Sequence, residues 1–294
     1  MNRFEWTNAR TIKEAVSQLN SSAVVKAGGL DLLDLLKEGI ASPSRLVNIR
    51  NLPGLSNIIE DAKAGLHLGP LVTLAELASN KIIRERYTAL ADAAGHAATP
   101  QIRNVATLGG NLLQRPRCWY FRQEEFHCRK KGGERCFAIE GRNQYHAIFD
   151  NKLCAIVHPS ATATALVALG ARLHLSGPKG DREVLLEDFF VTPEQNLTRE
   201  NSIGVDELIT EVSVPVRGAG TRSVYLKQGE KESFDWPIAD VAVALTCAGG
   251  QCQKASIVLG AAAPVPLRAR SGGRARWQSY QRRDRARCCE GRAS

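Results

Sequence analysis

Apolar and polar positions along this chain follow a helical period and a strand period, and over residues 11–60 the two alternate. Thr11 followed by Glu14 is a capping-box signal, after which Ala15, Val16 and Leu19 share one helical face. Ser22 to Ala27 is a short β-branched run that stops at Gly28-Gly29. Leu30, Leu32, Leu33, Leu35 and Leu36 then suit a buried helix, and Arg45 to Ile49 a strand ending at the turn Leu52-Pro53-Gly54. A second unit predicts a strand near Gly65 to Gly69, a capping box from Thr73 to Glu76, and one amphipathic helix from about Lys81 to Ala97. His158-Pro159-Ser160 opens an alanine-rich helix to Leu169, and Arg172 to Ser176 returns as a strand. From about Glu207 the signals are antiparallel: Leu208 to Val216, Ser223 to Lys227, then Asp240 to Cys247 and Cys252 to Leu259 across Gly249-Gly250. A domain boundary is expected between about residues 177 and 185, and no internal repeat of fixed period is present.

With 294 residues, 44% hydrophobic and 23% charged, the composition predicts a soluble globular chain of two or three domains and argues against disorder, collagen and coiled coil. The charge-free stretch from Ala161 to Ala171 is well short of the roughly 18 to 20 apolar residues that a bilayer demands. Met1-Asn2-Arg3-Phe4-Glu5-Trp6 carries an acid where a secretory signal places its apolar core, so no export signal and a cytoplasmic location are expected. The net charge of +9 changes this picture little, because residues 268–294 hold nine Arg against Asp284 and Glu290 and the remaining body is only +2. A nucleic-acid binder would spread its bases over the folded part. Within 268–294 the only aliphatic side chains are alanines, beside Trp277 and Tyr280, so this Arg-rich tail is expected to be disordered or the product of a frame error.

Two glycine turns stand out chemically. Gly28-Gly29, between a strand and a helix, lets backbone amides approach an anion such as pyrophosphate, although neither G-x-G-x-x-G nor a Walker pattern is present. Thr107-Leu108-Gly109-Gly110-Asn111 is the second. Each alone is more often a tight turn, but together they favour a dinucleotide between them. Residues 114–154 are too long and irregular for a plain connection and hold Cys118, Cys128, Cys136 and Cys154. Their spacing matches neither a zinc knuckle nor a ferredoxin run, leaving an iron-sulfur cluster, zinc and free thiols all open. The bases Arg115, Arg117, Arg122, Arg129, Lys130, Lys131 and Arg135 favour a cluster by offsetting its negative charge. His127 and His146 are alternative ligands or donors behind the ligands. Cys247 and Cys252 read as core or edge thiols, and no hydrolase motif is present.

Lys26-Ala27-Gly28-Gly29-Leu30-Asp31-Leu32, Ile102-Arg103-Asn104 with Thr107 to Asn111, and Glu207 to Val212 with a strand ending Val214-Pro215 resemble the FAD-binding medium subunit of the molybdenum hydroxylases, the xanthine dehydrogenase and aldehyde oxidoreductase family. The likeness spans about residues 3 to 266. Cys118-Trp119-Tyr120-Phe121-Arg122, Cys128, Lys131-Gly132-Gly133 with Cys136, Tyr145 to Phe149, and Cys154 before Val157-His158-Pro159-Ser160 resemble its 4Fe-4S-containing branch. The resemblance implies an α+β, vanillyl-alcohol-oxidase (PCMH)-type FAD-binding fold with two α/β subdomains and a smaller, truncated C-terminal α+β domain. The implied division is a FAD-binding region over 1–180 including the 4Fe-4S cysteine loop 114–154, the end of that domain over 181–220, the start of a C-terminal domain over 221–267, and the tail 268–294.

It further implies an oxidoreductase subunit active only in a complex. FAD would lie along Lys26, Ala27, Gly28, Gly29, Leu30, Asp31 and Leu32, with Thr107, Gly109, Gly110 and Asn111 at phosphate and flavin and Lys227 opposite. Cys118, Cys128, Cys136 and Cys154 would hold a 4Fe-4S cluster. Substrate would be oxidised at molybdenum on a large molybdopterin-binding partner, with electrons passing through a small 2Fe-2S partner to FAD and on to an external acceptor. A signal-bearing partner could carry the assembly to the periplasm. Ala161 stands where the family has an Asp beside the flavin, and Gly229-Glu230-Lys231 where relatives have arginines. The tail replaces a helical stretch, so the C-terminal sheet is expected to lack its apolar cover. Rival readings are a non-catalytic metal-binding module contacting nucleic acid and a degenerate subunit that binds nothing.

Overall fold

The computed structural model describes residues 1–231 and 234–269. Strands β1 (Glu5–Asn8), β2 (Ala23–Lys26) and β3 (Arg45–Asn48) form a parallel sheet in the order β1-β3-β2, with helices α1 (Ile12–Ser17) and α2 (Leu30–Lys37) as its crossovers. Parallel pairing requires such crossovers, which is why strand and helix periods alternate here. The Thr11 hydroxyl accepts from the Glu14 amide, but the Glu14 carboxylate takes the Arg10 amide, so the expected capping box is half formed. Ala15, Val16 and Leu19 pack with Val47 and Leu71 in a small core.

A five-stranded antiparallel sheet follows, in the order β4-β5-β8-β6-β7, from β4 (Ile58–Asp61), β5 (Gly65–Leu68), β6 (Arg172–Gly177), β7 (Gly180–Leu185) and β8 (Leu208–Val214). Residues 177–185 are therefore a hairpin inside one sheet, and the boundary expected there does not exist. Between β5 and β6 the chain runs through α3 (Leu74–Ser79), α4 (Lys81–Arg86), α5 (Thr88–Gly95), α6 (Pro100–Arg103), α7 (Leu108–Leu112), the cysteine loop with α8 (Phe137–Glu140), and α9 (Ala161–Ala168); α10 (Leu186–Phe189) follows β7. Thr73 and Glu76 form a complete capping box. The single helix expected over 81–97 breaks at Tyr87, whose backbone leaves the helical region at φ −128° and ψ 48°. This ring is buried, and its hydroxyl donates to Glu60 across 3.2 Å. Burial pushes the phenol up to about 12. All eight residues of α9 are buried, which their small side chains permit as the helix packs against α5 and the last sheet.

That last sheet is antiparallel, in the order β12-β11-β10-β9, from β9 (Thr221–Gln228), β10 (Ala239–Ala248), β11 (Gln251–Gly260) and β12 (Leu267–Arg268). Gly249 and Gly250 turn between β10 and β11 with φ 57° and 73°, as a two-residue hairpin of this twist needs. One core joins the last two sheets through α5 and α9, taking in Tyr225, Ala242 and Val258. The opposite face of the last sheet leaves Leu226 60% and Val224 39% exposed. Arg268 is not the start of a tail: it pairs with Val258 and donates to Glu187 across 2.7 Å. Residues 270–294, the rest of the expected tail, lie outside the described residues.

Candidate functional site

A cleft of about 1060 Å³ opens between the parallel sheet, the α6–α7 turn, residues 198–209 and the inner face of β9. Ala27, Gly28, Gly29, Leu30, Asp31, Leu32, Thr107, Gly109, Gly110, Asn111 and Lys227 all line it. Of the residues expected around a dinucleotide, only Lys26 is absent from this lining. Its ammonium lies 5.5 Å over the Trp6 ring, and burial lowers its pKa.

Each glycine turn has its own physical reason. A Cβ on Gly28 would meet the Val105 carbonyl oxygen at 2.3 Å, so this position holds the two turns in backbone contact. Gly29 is left-handed at φ 83° and caps α2 with no side chain, leaving the first amides of that helix facing the cleft without a partner from a cap. Asp31, in the same turn, is committed elsewhere: its carboxylate accepts from Arg122 Nη2 at 2.6 Å and from the Arg115 amide at 2.9 Å. The second turn is more closed than expected. Thr107 caps α7 by accepting from the Gly110 amide, and the amides of Leu108 and Gly109 go to the Val72 and Pro70 carbonyls. What it offers the cleft is the bare, exposed backbone of Gly110 and the Asn111 amide. Ser160 and Thr162 donate to Asn111 Oδ1 at 2.6 and 2.5 Å, which turns Nδ2 into the free end.

Strand alternation places Tyr225 and Lys227 on the same inner face of β9. Lys227 Nζ donates to the His96 carbonyl at 3.0 Å and to the Asp235 carbonyl, which leaves one of its three protons; burial lowers its pKa. Behind it Asp240 is buried beside Thr164, Arg117, Tyr225 and Lys227, and burial pushes its carboxyl up to about 7. Burial also lowers Arg117 to about 10. Sequence reasoning missed Asp240 and the wall 198–205. The first carries no motif; on that side of the cleft the family resemblance pointed to Lys227 alone.

This arrangement fits FAD: an uncapped eight-residue helix for a pyrophosphate, a flat glycine surface, and a lysine proton and an amide NH₂ opposite.

Cys118, Cys128, Cys136 and Cys154 are all buried and line one void of about 10 Å³, the room of a single water. Backbone amides of Tyr120 and Phe121 donate toward Cys118, those of Ala138, Ile139 and Ala155 toward Cys136, and that of Ile156 toward Cys154. Burial raises the Cys118 thiol to about 11. Cys136 is lowered to about 5 because Cys154 donates to it, and Cys154 is raised correspondingly. Among the described residues no three or more His, Cys, Asp or Glu groups close around one ion. The four thiols share this one void, and backbone amides donate to three of them.

The surrounding bases are less free than their sequence suggested. Arg122 pairs with Asp31 and Asp34, Arg115 and the buried Lys130 with Glu200, while Arg129 and Lys131 donate to carbonyls. Neither His127 nor His146 lines the thiol void. His146 faces a neighbouring cavity, neutral because burial and then Arg117 lower its pKa to about 4. Cys247 and Cys252 face each other across the hairpin, far in sequence from this loop.

A family model described as the FAD binding domain in molybdopterin dehydrogenase matches residues 2–217. The aldehyde oxidoreductase FAD-binding subunit PaoB of Escherichia coli (strain K12) is 33% identical over 273 residues, 91% of this chain and 84% of that protein. The carbon monoxide dehydrogenase medium chain of Hydrogenophaga pseudoflava is 31% identical over 278 residues, covering 93% and 79%. A solved carbon monoxide dehydrogenase from that organism, lacking the Mo-pyranopterin moiety, superposes with a TM-score of 0.69 at 28% identity over 91% of this chain and 77% of its own. The cyanide-inactivated Cu,Mo-CO dehydrogenase gives 0.70 at 25% identity over 91% and 78%.

Proposed function

Because this chain belongs to the FAD-binding family of the molybdopterin dehydrogenases, with a PCMH-type fold, we propose that its cleft holds FAD and its cysteine loop a 4Fe-4S cluster. It is then the medium, electron-transferring subunit of an oxidoreductase complex, beside a large molybdopterin subunit and a small 2Fe-2S subunit. The observation that carries the reading is the cleft itself, which gathers residues from positions 27–32, 107–111 and 227 onto one surface. When bound, FAD supplies the exchange between single electrons and electron pairs that links iron-sulfur partners to an external acceptor. The chain's own groups hold it. The first turn of α2 binds pyrophosphate through backbone amides, the Asn111 NH₂ and the remaining Lys227 proton orient the ring system, and the apolar wall of Leu32, Leu71 and Leu74 excludes water. Arg122 neutralises Asp31, which would otherwise repel the phosphates.

The four thiols and their amide donors support the cluster. Cytoplasmic assembly, or transfer to the periplasm on a signal-bearing partner, is the proposed location. The test is anaerobic co-expression with the partner subunits, followed by flavin and iron assay. One flavin per chain is expected, and about four iron atoms beyond those of the small 2Fe-2S subunit, with visible bands of both groups. A colourless protein, or one holding zinc, overturns the reading. The nucleic-acid module has no support from the body, whose net charge is close to zero.

A further inference from the structure

Between the FAD cleft and the thiol void lies a second cavity of about 180 Å³, sharing Arg117, Asp235 and Trp236 with the first and Cys118 with the second. Its walls are aromatic: Trp119 stands edge-on to Tyr145 at 5.9 Å and to His146 at 4.9 Å, and the Arg117 guanidinium lies 5.6 Å from the Trp236 ring. Four buried polar atoms around it have no partner among the described residues: Arg117 Nε and Nη1, and both ring nitrogens of His146. His146 is only 8% exposed. Unpaired buried polar groups of this kind are costly and rare in folded chains, and four at one cavity point to a guest.

The guest's chemistry follows from the lining. An engineered apolar cavity of about 150 Å³ accepts benzene, so 180 Å³ suits one six-membered ring with small substituents. Arg117 supplies N–H groups, and a neutral imidazole supplies one N–H and one lone pair. Donors from two sides match a ring with oxygen acceptors on two edges. Glu230, which accepts from the Tyr145 hydroxyl, and Asp235 complete the lining and disfavour a carboxylate.

We propose that this cavity binds a neutral single-ring quinone as the external electron acceptor. The quinone carbonyls accept from Arg117 and His146, and the indole and phenol rings enclose its faces. Two electrons and two protons convert the quinone to the quinol. The electrons are those that the proposed function brings to the cleft, so the acceptor role, though not the binding, rests on that reading; the protons come from water. Arg117, common to both lining sets, stands between this cavity and the cleft.

The probe is 1,4-hydroquinone, which does not alkylate thiols, measured by equilibrium dialysis against the oxidised complex with flavin content assayed in parallel. One hydroquinone per medium subunit is expected. His146→Phe, which fills the cavity and leaves the cleft lining alone, weakens binding about tenfold or more, while His146→Gln, keeping an amide donor, stays within about threefold. Both variants keep wild-type flavin content. Absence of binding to the wild type, equal binding by His146→Phe, or release of flavin by hydroquinone overturns the proposal. Binding that is lost in His146→Phe from a complex without flavin supports the cavity and counts only against the flavin reading.

Discussion

Single residues set the tolerances of the cleft. Gly28→Ala drives a methyl group to 2.3 Å from the Val105 carbonyl, backbone against backbone, so one turn must move. A loss of about 1–3 kcal/mol is expected, read as a lower Tm with a matching loss of retained flavin; unchanged flavin and Tm would show that the turns are not in contact. Asp240 gives a pH signature. Burial raises its carboxyl from 3.8 to about 7, so between about pH 4 and 7 the folded chain keeps a proton that the unfolded chain has released. This contribution to stability is full below the unfolded value and is lost as the pH rises through the folded one. Asp240→Asn has no such proton to lose. Its Tm relative to the wild type should therefore improve from pH 5 to pH 8, and parallel pH profiles for the two proteins would refute the assignment.

At the scale of elements, the cysteine loop is held by an ion pair as well as by apolar contacts. Lys130 Nζ meets Glu200 Oε1 at 2.9 Å with side-chain exposures of 1% and 5%, tying the loop to the segment after α10. Glu200→Leu strands a buried ammonium and is expected to cost about 3–5 kcal/mol, measured by denaturant melts, with faster proteolysis inside residues 114–154. Gly28-Gly29, the box at Thr73 and the hairpin at Gly249-Gly250 were legible because each is a local steric or capping requirement. The break at Tyr87 was not: residues 81–97 read as one helical period, and the buried link to Glu60 that interrupts them comes from a distant strand. Thr107 to Asn111 read as a turn although its threonine caps a helix start, since a short helix leaves almost no periodic trace. The thiols' common void also lay beyond spacing alone, because the loop's folding, not its intervals, brings them together.

Across the whole molecule the last sheet is asymmetric. One face packs on α5 and α9, whereas the other presents Leu226 and Val224 to solvent, beside the partly exposed Val241 and Val243 of β10. Contiguous exposed apolar patches bind partners or aggregate. Leu226→Glu should reduce binding of an apolar fluorescent dye and raise the concentration at which the isolated chain precipitates, with flavin retention unchanged because this side chain points away from the cleft; unaltered dye binding would place the patch elsewhere. The contact at Gly28 carries a last consequence. Since one bend abuts the other through main-chain atoms, the groove between them has a fixed calibre that side-chain rearrangement cannot adjust. A guest is thus admitted by its thickness, and lengthening either bend would have to be matched in the other before the same nucleotide could enter.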